Sequence, residues 1–315
     1  MALDTASPTV GDRLRAYAKL GKLSFYDYYL CVLIVALTLP TESWGEPVTW
    51  LTLALFVVGQ VGVVAATVTF DDVTGVRDGS DARNYTPETG ELRDLSRKPL
   101  LAGVISVEQA ERFGWLAALW GAVFWTLTAV VAPHRPLWVL VLLAVVAVSA
   151  VQYSYGLKIS YNGGQELLLF ASTGSVVVMP YVLLTGAPTG LIVLEAVLFG
   201  LWSLQVSLYS NMNDVEGDRV AGRRNLATMN PAGRYRGIVA AVACAEPVAV
   251  LAAVLLGAVP AWFPLVLLPV FALRVRQARA GLGERNVLVA RILGIKIHRL
   301  GVLLLLVANP LAVYL

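Results

Sequence analysis

Two clusters of acidic side chains end two long apolar segments of the chain. The second cluster contains Asn211, Asp214 and Asp218, which on a helix would lie within about 60° of one another. Two like charges one turn apart repel unless something neutralises them. A hard divalent cation such as Mg²⁺, which prefers oxygen ligands, would do so. The alternative is a solvated helix end with scattered acids.

The first cluster is less regular. It contains four aspartates after an apolar run: Asp71, Asp72, Asp78 and Asp81. On a helix, three of them would lie within about 80° of one another. Gly75 and Gly79 weaken a continuous helix by about 1 kcal/mol each relative to alanine. A loop that folds over a ligand is therefore predicted as strongly as a helix. An acidic hydrophilic loop without a ligand is the alternative.

Basic residues accompany both clusters. Near the first lie Arg77, Arg93, Arg97 and Lys98, and after the second come Arg219, Arg223 and Arg224. Mg²⁺ is commonly held by one or two carboxylates together with substrate phosphates, and arginine and lysine bind the remaining phosphate oxygens. The combination predicts a diphosphate site. The alternative is that these charges only mark the cytoplasmic side of a membrane.

The composition places both clusters in a membrane protein. Apolar residues make up 57% of the 315 residues and charged residues only 14%, whereas soluble domains carry about 25% charged residues. Disordered, collagen-like and disulfide-rich proteins are excluded by the same numbers and by the two cysteines. Long unbroken apolar runs favour helices over a transmembrane barrel. The fold class predicted is an all-α polytopic membrane protein.

The apolar runs predict nine transmembrane helices around a central cavity, in a single domain over residues 1–315. The predicted spans are 24–41, 48–70, 107–132, 137–154, 166–186, 190–212, 236–258, 261–277 and 297–315. Of the 24 Lys and Arg residues, only Arg135 falls on the side opposite to the others. The positive-inside rule then places the N-terminus inside, with residues 1–23 as a cytoplasmic tail, and the C-terminus outside.

Several motifs resemble the UbiA-type intramembrane prenyltransferase superfamily over most of the chain. They are Asn211-x-x-Asp214-x-x-x-Asp218 with the following Arg219 and Arg224, Lys98-Pro99-Leu100, Tyr153-x-Tyr155-Gly156-Leu157-Lys158, and Gly163-Gly164-Gln165-Glu166. The first acidic cluster departs from the family pattern Asn-Asp-x-x-Asp-x-x-x-Asp. With Asp71 and Asp72 at its start, Gly75 and Gly79 stand where carboxylates belong.

The resemblance implies that Mg²⁺ assists ionisation of a polyprenyl diphosphate, in a tunnel that opens into membrane lipid. The implied catalytic residues are Asp72, Asp214, Asp218 and Lys158. The implied metal ligands are Asp71, Asp72, Asp78, Asn211, Asp214 and Asp218. The diphosphate would be bound by Arg77, Arg97, Lys98, Lys158, Arg219 and Arg224, and the prenyl chain by Tyr153, Tyr155 and Tyr209.

Three functions follow from these residues. The leading one is transfer of the prenyl group to an aromatic or lipid acceptor, in the cytoplasmic membrane and with the site facing the cytoplasm. A terpene cyclase of the same superfamily is the second, favoured by the irregular first cluster. A membrane transporter is the third, for which Glu246, next to Pro247 within a span, is the main indication. Nothing indicates a nucleic-acid partner.

Overall fold

The computed structural model of the chain describes residues 9–85, 95 and 98–314. Within those ranges the regular structure is helical, apart from one isolated bridge between Asn162 and Arg224. The helices are α1 Val10–Leu20, α2 Cys31–Thr38, α3 Thr41–Trp44, α4 Pro47–Arg77, α5 Ser80–Asn84, α6 Val107–Val131, α7 Leu137–Gln152, α8 Gln165–Thr185, α9 Gly190–Val220, α10 Leu226–Met229, α11 Ala232–Leu255, α12 Phe263–Val266, α13 Leu268–Ala278 and α14 Val287–Tyr314.

Six of these helices are long and apolar enough to cross a membrane by length and composition. They are α4, α6, α8, α9, α11 and α14. Residues Tyr26–Thr38 and helix α7 are apolar but shorter, and the segment that contains α12 and α13 is interrupted at Leu267. The all-helical membrane fold is therefore confirmed. All nine predicted spans coincide with helical segments, but nine crossings, and their orientation, stay a prediction.

The two helices that carry the acidic clusters extend further than the apolar runs predicted. Helix α4 continues beyond residue 70 to Arg77, and α9 continues beyond residue 212 to Val220. Both acidic clusters therefore begin on helical backbone, and the loop considered for the first cluster starts only after Arg77. Gly79, with φ +76°, turns the chain there into the short helix α5.

Helix α9 forms the centre of the bundle. In its apolar stretch 78% of the residues are buried, against 28% for α6 and 22% for α11. Helices α8 and α14 pack along α9, whereas α4 packs mainly against α6. Gly62 and Gly121 allow the close approach of α4 and α6, because a Cβ on Gly62 would lie 2.6 Å from the Ala117 carbonyl oxygen. Small residues commonly let membrane helices pack this closely.

A buried ion pair connects three helices away from the acidic clusters. The Arg274 Nε on α13 donates to Glu246 Oε2 on α11 at 2.8 Å, and the Trp202 indole on α9 donates to Glu246 Oε1 at 2.6 Å. Both charged side chains are less than 10% exposed. Burying a charge is tolerated where it is paired and hydrogen-bonded in this way. The Glu246 carboxylate thus has a structural role, because it accepts hydrogen bonds from Arg274 and Trp202.

Candidate active site

A cavity of about 360 Å³ lies between helices α4, α5, α6, α7, α8, α9 and α14. Along α9 its wall runs from Phe199 to Asp218, which corresponds to roughly 28 Å at 1.5 Å per residue. We call the part near Asp218 the ionic end and the part near Phe199 the apolar end. Among the residues that the structure describes, four cations line the cavity: Lys22, Lys98, Arg223 and Arg291.

The first acidic cluster forms one side of the ionic end. Asp71, in the last turns of α4, lines the cavity and accepts a hydrogen bond from Ser154 Oγ at 2.6 Å. The neighbouring Asp72 is only 1% exposed and does not line the cavity. Its Oδ1 lies 2.7 Å from Lys98 Nζ and 3.7 Å from Lys22 Nζ. Asp72 therefore holds the lysines that face the cavity.

Lys98 is the central cation on this side. Its Nζ lies 2.9 Å from both carboxylate oxygens of Asp81, in addition to its contact with Asp72. Burial disfavours the charged ammonium, but Asp72 and Asp81 outweigh that effect and raise the pKa of Lys98 well above its usual value. Burial, together with Asp72, also raises the pKa of Asp81 to about 6, although Lys98 opposes this shift. The carboxylates on this side therefore favour additional positive charge.

The second acidic cluster forms the opposite side, on the final turns of α9. Asn211 accepts from Gln165 Nε2 at 3.1 Å and donates to Glu166 Oε1 at 3.2 Å. Asp218 accepts from Asn225 Nδ2 at 2.8 Å. Asn211, Asp214 and Asp218 all line the cavity, as expected for residues on one helix face. Amide groups from neighbouring segments thus fix this side.

Arg223 joins the two sides. Its Nη2 lies 3.1 Å from Asp71 Oδ1, and its Nε lies 4.0 Å from Asp218 Oδ1. The guanidinium carbon also lies 4.5 Å from the centroid of the Tyr161 ring. Gly222, with φ +74°, reverses the chain after α9, so that the Arg223 backbone N–H donates to the Asp218 carbonyl oxygen at 2.8 Å. One guanidinium therefore connects carboxylates from helices α4 and α9.

The structure places other predicted residues away from the cavity wall. Arg77 and Arg219 are half-exposed and pair with Glu111 and Glu216. Arg224 and Lys158 are exposed at the surface. Arg97 lies outside the described residues.

The remaining predicted residues divide between the cavity and its surroundings. Tyr153 lines the cavity. Tyr155 packs against Phe70 and Trp115, and Tyr209 is buried in the bundle; neither lines the cavity. Asp78 accepts hydrogen bonds from the Tyr161 hydroxyl and from the Ser80 backbone N–H and is likewise not in the wall.

Three residues at the ionic end are not among the site residues predicted from the sequence. In the sequence, Lys22 is only a charge of the N-terminal tail, and Arg223 is only one member of a basic segment. Asp81 is named but not chosen as a ligand. The signal that could have identified Arg223 is Gly222, because a glycine just after a helix commonly reverses the chain and returns the next residues to the helix end.

The donors at the ionic end fit Mg²⁺ that is shared with a substrate. In the part of the chain that the structure describes, no three His, Cys, Asp or Glu side chains form a group that could hold a metal ion by themselves. Mg²⁺ typically needs only one or two carboxylates when phosphates complete its ligands. Gln165 lines the cavity, and its buried Oε1 has no hydrogen-bond partner among the described residues. Acceptor atoms without a partner are expected where a cation or its water ligands bind.

Comparisons with solved structures show the same fold at low sequence identity. A UbiA homologue from Aeropyrum pernix K1 is 15% identical, with a TM-score of 0.65 over 92% of this chain and 97% of that chain. A homologue from Archaeoglobus fulgidus bound to DMAPP and Mg²⁺ is 13% identical, with a TM-score of 0.59 over 92% and 98%. A digeranylgeranylglyceryl phosphate synthase is 15% identical, with a TM-score of 0.60 over 95% and 99%.

Sequence comparison gives the family directly. No curated protein matches the chain. The model of the UbiA prenyltransferase family, however, matches residues 30–286, which include both acidic clusters and all the α-helices that line the cavity except α14. This chain is therefore an integral membrane protein that belongs to the UbiA prenyltransferase family.

Proposed function

We propose that the protein is a Mg²⁺-dependent intramembrane prenyltransferase that ionises a polyprenyl diphosphate and transfers the prenyl group to an aromatic or lipid acceptor. The observation that carries the proposal is the position of Arg223, which connects Asp71 and Asp218 at the ionic end of a long cavity. The relatives from Archaeoglobus fulgidus, bound to DMAPP or GPP with Mg²⁺, support the same substrate class.

The ionic end has the charges that a diphosphate requires. Lys98 and Arg223 line the cavity, and their N–H groups can move from carboxylates to phosphate oxygens when the substrate enters. Asp71, Asp214 and Asp218 face the same space and would hold Mg²⁺ together with the diphosphate. When bound, Mg²⁺ supplies positive charge to the leaving group.

The chemistry is a substitution at the first carbon of the prenyl chain. The bond from this carbon to the diphosphate oxygen breaks, and its electron pair leaves with the diphosphate. Lys98 and Arg223 stabilise the negative charge that develops on the leaving group. The resulting allylic cation forms a bond with a nucleophilic atom of the acceptor, which then loses a proton. Exclusion of bulk water prevents conversion of the cation to an alcohol.

The wall beyond the ionic end suits the prenyl chain. Trp125, Val146, Val176 and Phe199 line the apolar part, and Tyr153 lies on the wall as well. Aromatic faces can stabilise a nearby cation in addition to their packing with hydrocarbon. The cavity therefore offers the prenyl chain an apolar path that is much longer than one helical turn.

A hydroxyl in the cavity favours transfer over cyclisation. Ser203 lines the cavity, and its Oγ is buried with no hydrogen-bond partner among the described residues. Such a group can orient the polar part of an acceptor. The transporter hypothesis loses its main support, because Glu246 is paired with Arg274 outside the cavity wall.

The experiment uses purified protein in lipid with Mg²⁺ and a series of prenyl diphosphates from geranyl to chains longer than geranylgeranyl. Diphosphate release and extracted products are measured with and without aromatic and lipid acceptors. We expect acceptor-dependent release and a prenylated acceptor. A cyclic hydrocarbon formed without acceptor would instead identify a cyclase, and the absence of release with every diphosphate would refute the prenyltransferase proposal.

We also propose that the protein crosses the cytoplasmic membrane nine times, with the ionic end and the N-terminus facing the cytoplasm. The distribution of lysine and arginine supports this orientation. Single cysteines introduced at Arg224 and at Arg135, in a variant lacking Cys31 and Cys244, test it with an impermeant thiol reagent. Labelling from outside is expected at position 135 only, and the reverse result would contradict the proposed orientation.

A further inference from the structure

One carboxylate of the first acidic cluster reaches the cavity from a second helix. Asp81 belongs to α5, not to α4, yet it lines the cavity together with Asp71. Asp72, by contrast, lies behind Lys98 and outside the wall. The carboxylates that face the substrate space on this side therefore come from two different helices.

Gly75 creates the space that Asp81 occupies. Position 75 follows Asp71 by one turn on α4, where the next side chain of the same helix face would project. A Cβ at Gly75 would lie 2.8 Å from Asp81 Cγ and 2.9 Å from Asp81 Oδ2. Real Cβ atoms essentially never come this close to another atom. Only glycine at position 75 therefore allows the Asp81 carboxylate to lie against α4.

The residues that connect α4 to α5 position the Asp81 carboxylate next to Gly75. Asp78 accepts a hydrogen bond from the Ser80 backbone N–H at 2.9 Å, and Gly79 adopts a left-handed conformation. Helix α5 then folds back so that Asp81 is 9% exposed and bonded through both oxygens to Lys98. The buried, unpartnered Asp72 Oδ2 lies on the same side of the site.

We propose that Asp81 is a ligand of bound Mg²⁺ and takes the place of a carboxylate at position 75. Helix α5 would then contribute one ligand to the α4 side of the metal–diphosphate site. The inference rests on the prenyltransferase function proposed above. It explains why Gly75 and Gly79 stand where the family pattern has carboxylates. The first glycine provides room for the replacement, and the second provides the turn that brings it there.

The test measures Mn²⁺ binding by electron paramagnetic resonance, with purified full-length protein and inorganic diphosphate. Asp81→Asn keeps the size of the side chain and an acceptor for Lys98, but removes the charge. We expect it to weaken diphosphate-dependent Mn²⁺ binding by about tenfold or more, the usual range for groups that support a metal site. Glu216→Gln removes an exposed carboxylate near the end of α9 that does not line the cavity; it is the control and should bind Mn²⁺ nearly as wild type does.

A variant in which the carboxylate is moved from α5 to α4 tests the inference more sharply than its removal does. The double variant Gly75→Asp/Asp81→Gly moves the carboxylate from α5 to α4 and should recover most of the Mn²⁺ affinity that Asp81→Asn loses. If the double variant does not fold, Gly75→Ala replaces it, because the added Cβ must displace Asp81 and should reproduce the loss. Unchanged Mn²⁺ binding in Asp81→Asn overturns the inference, as does a folded double variant with no recovery.

Failure of this inference can be separated from failure of the proposed function. Wild-type protein that releases diphosphate from prenyl substrates, with an Asp81→Asn variant that binds Mn²⁺ equally well, refutes only the role of Asp81. Wild-type protein that turns over no prenyl diphosphate refutes the function, whatever the variants bind.

Discussion

The two sides of the ionic end achieve a similar arrangement by different means. On the α9 side, Asn211, Asp214 and Asp218 come from successive turns of one helix, and amides such as Asn225 Nδ2 hold them. On the α4 side, carboxylates from two helices converge on Lys98, an ammonium from a third segment. The first arrangement is a property of secondary structure, whereas the second exists only after the chain has folded.

Because of this difference, the two sides of the ionic end should respond differently to substitution. Substitutions on α9 should remove a ligand and leave the rest of the site in place. Substitutions around Lys98 should change both charge and geometry, because a buried carboxylate that loses its cation becomes costly. Four further predictions, ordered by expected effect, test this distinction.

The largest effect is expected for the acids of α9. Asp214→Asn and Asp218→Asn should each lower the rate of Mg²⁺-dependent diphosphate release by roughly 10²–10³-fold, the usual cost of removing one group that stabilises charge in a transition state. The unfolding temperature should change little. Glu216→Gln, 86% exposed near the end of the same helix, is the control with near-normal rate. Normal release in both aspartate variants would contradict the assignment of this side.

The next effect is expected for the arginine that connects the two sides. Arg223→Gln should lower the release rate by about 10²-fold and also reduce stability, since it leaves Asp71 and Asp218 without their shared cation. Release kinetics and thermal unfolding are measured on the same preparation. Arg224→Gln changes an exposed neighbour and should alter neither quantity substantially. A larger loss from the Arg224 variant would reverse the roles assigned by the structure.

Lys98 should respond through stability in addition to the release rate. Lys98→Met leaves the buried Asp72 and Asp81 without their ammonium, and we expect a cost of about 3–5 kcal/mol in the free energy of unfolding. Mg²⁺ should raise the unfolding temperature of this variant more than that of wild type, because the cation can replace part of the missing charge. Equal stabilisation of both proteins by Mg²⁺ would show that the two sides do not differ in the proposed manner.

The smallest effect is expected for two arginines that the sequence assigned to diphosphate. Arg77→Gln and Arg219→Gln break half-exposed ion pairs with Glu111 and Glu216, and such surface pairs contribute about 1 kcal/mol or less. The KM for the prenyl diphosphate should therefore change by less than about fivefold. A tenfold increase in KM would place these side chains nearer to the substrate than the structure does.

The same difference explains which features could be predicted from the sequence. Helix positions follow from apolar runs of about 20 residues, and the α9 side follows from the spacing of Asn211, Asp214 and Asp218 on one face. The α4 side depends on the contact between Gly75 and Asp81 and on the position of Lys98, which no local pattern contains. Arg223 reaches the site through a chain reversal at Gly222, so its importance also appears only in three dimensions.

The ends of the helices show a second limit of the sequence. The apolar runs end near residues 70 and 212, but α4 and α9 continue as helices to Arg77 and Val220. Charged residues stop a hydropathy signal without stopping a helix, since backbone hydrogen bonds continue wherever neighbouring segments satisfy the side chains. Here Lys98 and Asn225 provide those partners.

The ion pair between Glu246 and Arg274 has a consequence for how the protein enters the membrane. A charged side chain within a membrane helix is costly to insert without a partner, and Glu246 lies near the middle of α11 whereas Arg274 belongs to a different helix, α13. The cost is offset only when both helices are present, because the charges then neutralise each other. Helix α11 is therefore expected to become stable in the membrane only after α13 has been synthesised, so that the order of synthesis and the final packing are linked at this point.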